Sequence, residues 1–168
     1  MEILPLSVIL SQCTIRYITD LKKAFTMTPK DYKDIVYNII GAAMEVHSEL
    51  KWGLLEPIYN EALCLELMSR GIDCDRETEI QCYYKNHKLE KKYRADIIVD
   101  DICIELKSTN EICPEHRAQL MNYLRLTKQP IGIIINFGVT HLQGERYYYN
   151  RITNTCYLLD KNMDIVDE

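Results

Sequence analysis

The sequence predicts an α/β sandwich in which helices flank a central mixed sheet, in the order α-β-β-β-α-β. Three observations predict it. Apolar residues recur at helical spacing through two successive segments before Gly71, and after Gly71 the period switches to two. Later, Ile131-Gly132-Ile133-Ile134-Ile135-Asn136 forms a near-continuous apolar run of the kind found in strands buried on both faces.

The elements follow in order. Residues 1–26 fit no periodic pattern and are expected to be an appended extension ahead of one domain spanning 27–168. Pro29 suits a helix start. From Asp31 to Leu50 the residues Ile35, Val36, Ile39, Ile40, Ala43, Met44, Val46, His47 and Leu50 make a broad apolar face. Lys51-Trp52-Gly53 breaks it. A second helix is expected from Leu54 to Ser69, with Leu55, Ile58, Tyr59, Ala62, Leu63, Leu65 and Leu67 apolar, and Arg70-Gly71 ending it. Pro57 must lie in its first turn, where proline is tolerated. Strands are expected over Glu79–Tyr84, Lys91–Val99 and Ile102–Lys107, with turns at Lys85–Lys88 and Asp100-Asp101. Pro114 opens a helix reaching Thr127, and short strands are expected near Arg146–Tyr149 and Thr155–Leu159.

Composition narrows the function. The chain has 168 residues, 47% hydrophobic and 27% charged, which suits a folded domain with its own core. No apolar run approaches the roughly 18 residues of a membrane span. The net charge of −5 argues against a broad nucleic-acid coat protein but leaves room for local contact with nucleic acid. Seven cysteines without a CxxC pair argue against a zinc site, and Cys113 and Cys156 are too isolated for an iron–sulfur quartet. An odd cysteine count and an N-terminus lacking a basic segment point to the reducing cytoplasm.

The chemistry gathers at the turn Asp100-Asp101. A two-residue turn pairs Val99 with Ile102, and counting outward pairs Ile97 with Ile104, Asp96 with Glu105 and Arg94 with Lys107. One face then carries Ile97, Val99, Ile102, Ile104 and Leu106 as core. The other carries Asp96 opposite Glu105, with Lys107 two residues on. Opposed carboxylates repel, and a divalent cation between them relieves the repulsion. Oxygen ligands suit Mg²⁺ or Mn²⁺, which polarise a phosphoryl oxygen and acidify bound water. Lys107 is placed to orient that water or to help deprotonate it.

Tyr93-Arg94-Ala95-Asp96 followed by Ile104-Glu105-Leu106-Lys107 resembles the motif of the PD-(D/E)XK nuclease superfamily. Gly53-Leu54-Leu55-Glu56-Pro57-Ile58-Tyr59 resembles the pattern of its GxxExxY branch, and Gln119 with Tyr123 resembles the QxxxY motif of RecB-like nucleases. The resemblance implies a restriction-endonuclease-like core. It also implies that Asp96, Glu105 and the backbone carbonyl of Leu106 ligate the metal, that Glu56 completes the shell, directly or through water, and that Lys107 serves the water. Gln119 and Tyr123 share a helix face, so both can reach a phosphate or the active site; His116, three residues earlier on that face, reads either as a nucleic-acid contact or as a first-turn residue exposed to water.

Two departures stand out: Leu50-Lys51-Trp52-Gly53 replaces the branch's usual Leu-Gly-Pro-Gly, and Pro57 directly follows Glu56. His47 has two readings, a satisfied buried histidine or a site residue. Lys85, Lys88, Lys91, Lys92 and Arg94, interleaved with Tyr83, Tyr84 and Tyr93, read either as a guarded strand edge or as a track for phosphates and bases. The resulting expectation is a Mg²⁺-dependent nuclease acting on nucleic acid, DNA above all. The alternative is an inactive module of the same fold that binds nucleic acid or a partner protein. The acidic balance implies weak contact with substrate, with a homodimer or a partner protein to deliver it.

Overall fold

The computed structural model describes residues 27–166; the extension expected over 1–26 lies outside the described residues. A 3-10 turn, Pro29–Tyr32, leads into α1 (Lys33–Leu50), followed by α2 (Glu56–Ser69), β1 (Asp75–Tyr84), β2 (His87–Val99), β3 (Ile102–Lys107), α3 (Pro114–Thr127), β4 (Ile131–Asn136), β5 (Gln143–Asn150) and β6 (Thr155–Leu159). The six strands form one sheet in sequence order. Only β3 and β4 run parallel, joined through α3, and every other neighbouring pair is antiparallel. The mixed sheet flanked by helices is the architecture expected from the sequence.

Two apolar clusters fill the layers. On one face Val36, Ile39, Leu63 and Leu67 of α1 and α2 pack on Ile97, Ile104, Leu106 and Ile133. On the other, Leu120, Tyr123 and Leu124 of α3 pack on Cys103, Ile134 and Tyr147. β3 and β4 are buried at all six positions each, as strands covered on both faces must be. No helix among the described residues is long and apolar enough to cross a membrane.

Several boundaries shift from expectation. The β1–β2 turn is only Lys85-Asn86, with Lys85 at φ +54°, so β2 starts at His87 rather than Lys91, and at its far end β1 starts at Asp75 rather than Glu79. α2 starts at Glu56, with Pro57 in its first turn. Leu55, Ile58 and Leu65, assigned to an apolar face, are exposed, as is Met44 on α1. Their periodicity is helical, but the sheet and α1 together cover only the stripe through Tyr59, Leu63 and Leu67.

Candidate functional site

The predicted hairpin register holds from Val99/Ile102 to Ile97/Ile104 and then ends. Hydrogen-bonded and non-bonded pairs alternate along an antiparallel ladder. By that alternation the Leu106 amide would next bond to Ala95. Instead it donates to Asp96 Oδ2 at 2.7 Å. The side chain thus replaces a ladder bond, and β2 leaves β3 at this point. On the other edge the β1–β2 pairing passes from Arg76/Ile97 to Thr78/Ala95 without Glu77/Asp96, and Glu77 stands at φ +50°. Ala95 packs with the α3 cluster while Ile97 packs with the opposite one, so side-chain alternation breaks at Asp96. The counted extensions, Asp96 opposite Glu105 and Arg94 opposite Lys107, are therefore not ladder pairs. In a strand the N–H and C=O of one residue face the same neighbour. The Leu106 carbonyl consequently faces the gap that Asp96 opens.

The charges at this fork are buried. Glu105 is 1% exposed and Lys107 8%. Lys107 Nζ donates to Glu105 Oε1 at 2.5 Å, whereas Glu105 Oε2 is the one buried side-chain oxygen or nitrogen among the described residues with no partner. Burial, then the charge of Asp96, pushes the Glu105 carboxyl up to about 7 against the opposing pull of Lys107. Asp96 is also raised, chiefly by burial, with the Leu106 amide and Lys107 opposing. Burial alone would lower Lys107; its bond to Glu105 and the charges of Glu105, Glu56 and Asp96 outweigh this, and its pKa rises.

Glu56 is delivered by a pinned loop. Lys51 (φ +61°) and Gly53 (φ +91°) turn the chain out of α1. The fully buried Tyr59 donates its hydroxyl to the Lys51 carbonyl at 2.7 Å and accepts from the Leu54 amide at 3.1 Å. Its ring stacks on Phe137 at 4.5 Å. Ser108, directly after Lys107, donates to the Leu54 carbonyl at 2.6 Å. Glu56 is half-buried, raised by burial, and within electrostatic reach of Lys107 and Asp96. Tyr59→Phe removes both hydroxyl bonds and is expected to cost about 1–2 kcal/mol, read as a lower melting temperature with native circular dichroism.

On α3, Gln119 Nε2 donates to the Tyr123 hydroxyl at 2.7 Å, so the i, i+4 pair forms as its spacing implied. Burial raises Tyr123 to about 12, with Glu105 and Asp96 adding to the shift. His116 accepts the Cys113 amide through Nδ1 and caps the helix; burial, then Lys107, lowers its pKa. Arg117 makes a two-pronged bond to Glu145, which also accepts from Tyr147, and this ties α3 to β5.

The outer part of β2 forms a two-stranded arm with β1. Lys92 pairs with Glu79, and Arg94 reaches Glu77 at 3.3 Å. The Tyr93 ring meets Tyr123 edge-on at 5.7 Å, and Lys91, in the stretch where the β1–β2 register shifts between Lys92 and Lys88, has no ion-pair partner among the described residues. Tyr93 is thus on the α3 side of the arm, whereas Lys92 and Arg94 lie on its back. His47 Nε2 meets the Val139 carbonyl oxygen at 2.8 Å.

The structure therefore gathers Asp96, Glu105, Lys107 and Glu56 electrostatically, with Gln119 and Tyr123 beside them. Sequence reasoning missed three residues. Asn60 is buried, donates to the Asp96 carbonyl at 3.2 Å and accepts from Arg76 at 2.8 Å. Asn136 bonds both the N–H and the C=O of Thr109. Tyr59, read as packing, anchors the Glu56 loop. A polar residue within an apolar helix stripe or at the end of an apolar strand was the available sign for the two asparagines. Among the described residues no three His, Cys, Asp or Glu side chains converge closely enough to hold an ion unaided. Two carboxylates with an orphaned oxygen, beside a carbonyl facing the same gap, nevertheless suit a hard divalent cation whose shell water completes.

No curated protein matches the chain. Among solved structures, a crystal structure of SSO0001 matches at 20% identity with a TM-score of 0.47, covering 75% of this chain and 64% of that one. This chain spans less than two thirds of that protein. The sequence model of the PD-(D/E)XK nuclease superfamily matches residues 33–151, which take in α1, α2, the strand fork and α3. The chain belongs to the PD-(D/E)XK nuclease superfamily.

Proposed function

We propose that this chain is a metal-dependent nuclease that hydrolyses phosphodiester bonds of nucleic acid, DNA above all. The observation that carries this is Glu105 Oε2, buried and without a partner where Asp96 breaks the ladder. Asp96, Glu105 and the Leu106 carbonyl would hold Mg²⁺ or Mn²⁺, with Glu56 assisting through water. Bound there, the ion would polarise a phosphoryl oxygen and acidify a water. Lys107 orients the attacking water, and its ammonium, kept charged by surrounding carboxylates, offsets negative charge building on the phosphate. Gln119 holds the Tyr123 hydroxyl for contact with the phosphate. Lys91 and the free face of His116 contact the strand; Lys92 and Arg94 join only by releasing Glu79 and Glu77. The sequence Gly53–Tyr59, with Tyr59 pinning the loop, supports membership of the GxxExxY branch, and the free thiols support a reducing, cytoplasmic setting. We take 27–168 as one domain.

The test incubates the full chain with single- and double-stranded DNA and RNA, in EDTA and in Mg²⁺ or Mn²⁺, beside Asp96→Ala and Lys107→Ala. Metal-dependent cleavage lost in both variants is expected. No cleavage of any substrate, together with no metal binding by calorimetry, overturns the proposal. The ion pair that already occupies Glu105 Oε1 favours a second reading, a nuclease fold that binds nucleic acid or a partner protein without cutting. Binding without turnover, unchanged in Lys107→Ala, selects it.

A further inference from the structure

A second concave surface lies on the opposite face of the sheet from Glu105. Glu105 alternates with Ile104 and Leu106, which belong to the α1–α2 cluster, so its side chain faces α3. The groove instead runs along the outer side of α1, and its floor includes Val36 and Met163 of the α1–α2 cluster. It consists of two cavities of about 500 and 560 Å³ that share Ile40, Met44 and Arg146. Each falls within the roughly 300–1,000 Å³ typical of small-molecule sites.

Its charge is one-sided. Lys33, Arg70, Arg146 and Lys161 line the first cavity, and among the described residues no lining residue of either cavity is acidic. In a chain with 25 acidic residues against 20 Lys and Arg, that segregation needs a reason. Arg70 is held by Glu66 at 2.7 Å, and it crosses α1 at Gly41, where an added Cβ would meet its Nη1 at 3.1 Å. The other three cations make no ion pair among the described residues. Arg146 is the informative one. It is half-buried on β5, burial lowers its pKa, and the nearby Asp160 compensates only in part. Asp160 is itself engaged by the amides of Asn162 and Asp164. A guanidinium that stays charged while partly desolvated calls for an anion.

Asp160 offsets part of the charge of Arg146 and Lys33, and with Lys161 the three still leave a net positive cavity that matches a phosphate, whose oxygens accept the two-pronged guanidinium bond. Beyond Lys33, the α1 side of the cavity carries apolar groups. Tyr37 and Met44, seven residues apart on one face of α1, are 78% and 60% exposed at the groove and offer a ring and a thioether to a flat body.

We propose that this groove binds a phosphate-bearing nucleotide unit, with the phosphate on Arg146, Lys33 and Lys161 and the base against Tyr37 and Met44. The unit is either a free nucleoside phosphate or the terminus of a nucleic-acid strand. The inference does not rest on the nuclease reading.

Its test titrates the full chain, in EDTA, with inorganic phosphate, adenosine monophosphate and a 5′-phosphorylated octadeoxynucleotide, following α1 amide shifts by NMR. Adenosine monophosphate is expected to bind at least tenfold tighter than inorganic phosphate, with shifts centred on Tyr37 to Met44. The binding should weaken at least tenfold in Arg146→Gln and several-fold in Lys161→Ala, an exposed site where misfolding is not an issue, and be unchanged in Lys107→Ala. Octanucleotide binding that is tighter than that of the mononucleotide and equally sensitive to Arg146 identifies a strand end as the source; weaker binding identifies the free nucleotide. The proposal is overturned if neither nucleotide moves the α1 amides, if inorganic phosphate binds as well as the nucleotide, or if both variants bind like the parent.

Discussion

Replacing Gly138 by alanine is expected to lower the melting temperature by roughly 6–12 °C, the shift produced by about 3 kcal/mol in a domain of this size. A Cβ there would lie 2.2 Å from the Thr109 nitrogen, 2.3 Å from its oxygen and 2.6 Å from the Ser108 carbonyl carbon. All three are backbone atoms, so no rotamer change relieves the clash. The two segments are also clamped: Asn136 accepts from the amides of Thr109 and Gly138, each at 3.0 Å, and donates to the Thr109 carbonyl at 2.9 Å. Thr109 follows Lys107 by two residues, and Ser108 holds the Glu56 loop. Displacement therefore passes directly to the candidate site, and Gly138→Ala should lose metal response beyond its loss of stability. Gly144→Ala is the control. Its Cβ would lie 3.6 Å from Ile40, an ordinary contact, and its melting should stay close to that of the parent. A Gly138→Ala melting point within 2 °C of the parent would contradict this account of the clamp.

Periodicity exposed the layers because it reports which face a side chain takes. It placed α3, β3, β4 and β6 at their observed bounds, and the hairpin count put Ile97, Ile104 and Leu106 together on one core face, which packs under α1 and α2. It does not report which of two acceptors an amide chooses. The Leu106 N–H had the Ala95 carbonyl by register and the Asp96 carboxylate by proximity, and that choice makes the fork. The sequence could name Asp96 and Glu105 through the assumption of a regular ladder, yet the observed approach arises where the ladder fails. Asn136 and Gly138 were illegible for another reason. Their meaning lies in a contact with Thr109, 27 residues away from Asn136 in the chain, and no local pattern encodes it. Leu55, Ile58 and Leu65 show the converse error, since an apolar residue at helical spacing is buried only if another layer reaches it.

Mn²⁺ stabilisation should grow with pH, on the order of tenfold in apparent affinity per unit below pH 7, and then level off. The Glu105 carboxyl titrates at about 7 in the folded chain against an ordinary 4.5. Between those values the folded chain binds more protons than the unfolded chain, so without metal its stability falls as pH rises through that window. The penalty is fully present above about pH 7, where Glu105 is ionised beside Asp96 with only Lys107 to neutralise it. A cation held by Glu105 must displace its proton below pH 7, and above that pH it meets a carboxylate already ionised. The two trends oppose each other: melting temperature in EDTA should decline from pH 5 to 8, and saturating Mn²⁺ should cancel or reverse that decline. Calorimetry in buffers of different ionisation enthalpy should detect close to one proton released per ion near pH 6, and close to none at pH 8.5. Glu105→Gln should lose both the proton release and the metal-induced shift, although its effect on stability without metal combines removal of a buried charge with loss of the Lys107 partner. A metal-induced shift as large at pH 5 as at pH 8, or one that survives in Glu105→Gln, would place the ion somewhere other than the fork between β2 and β3.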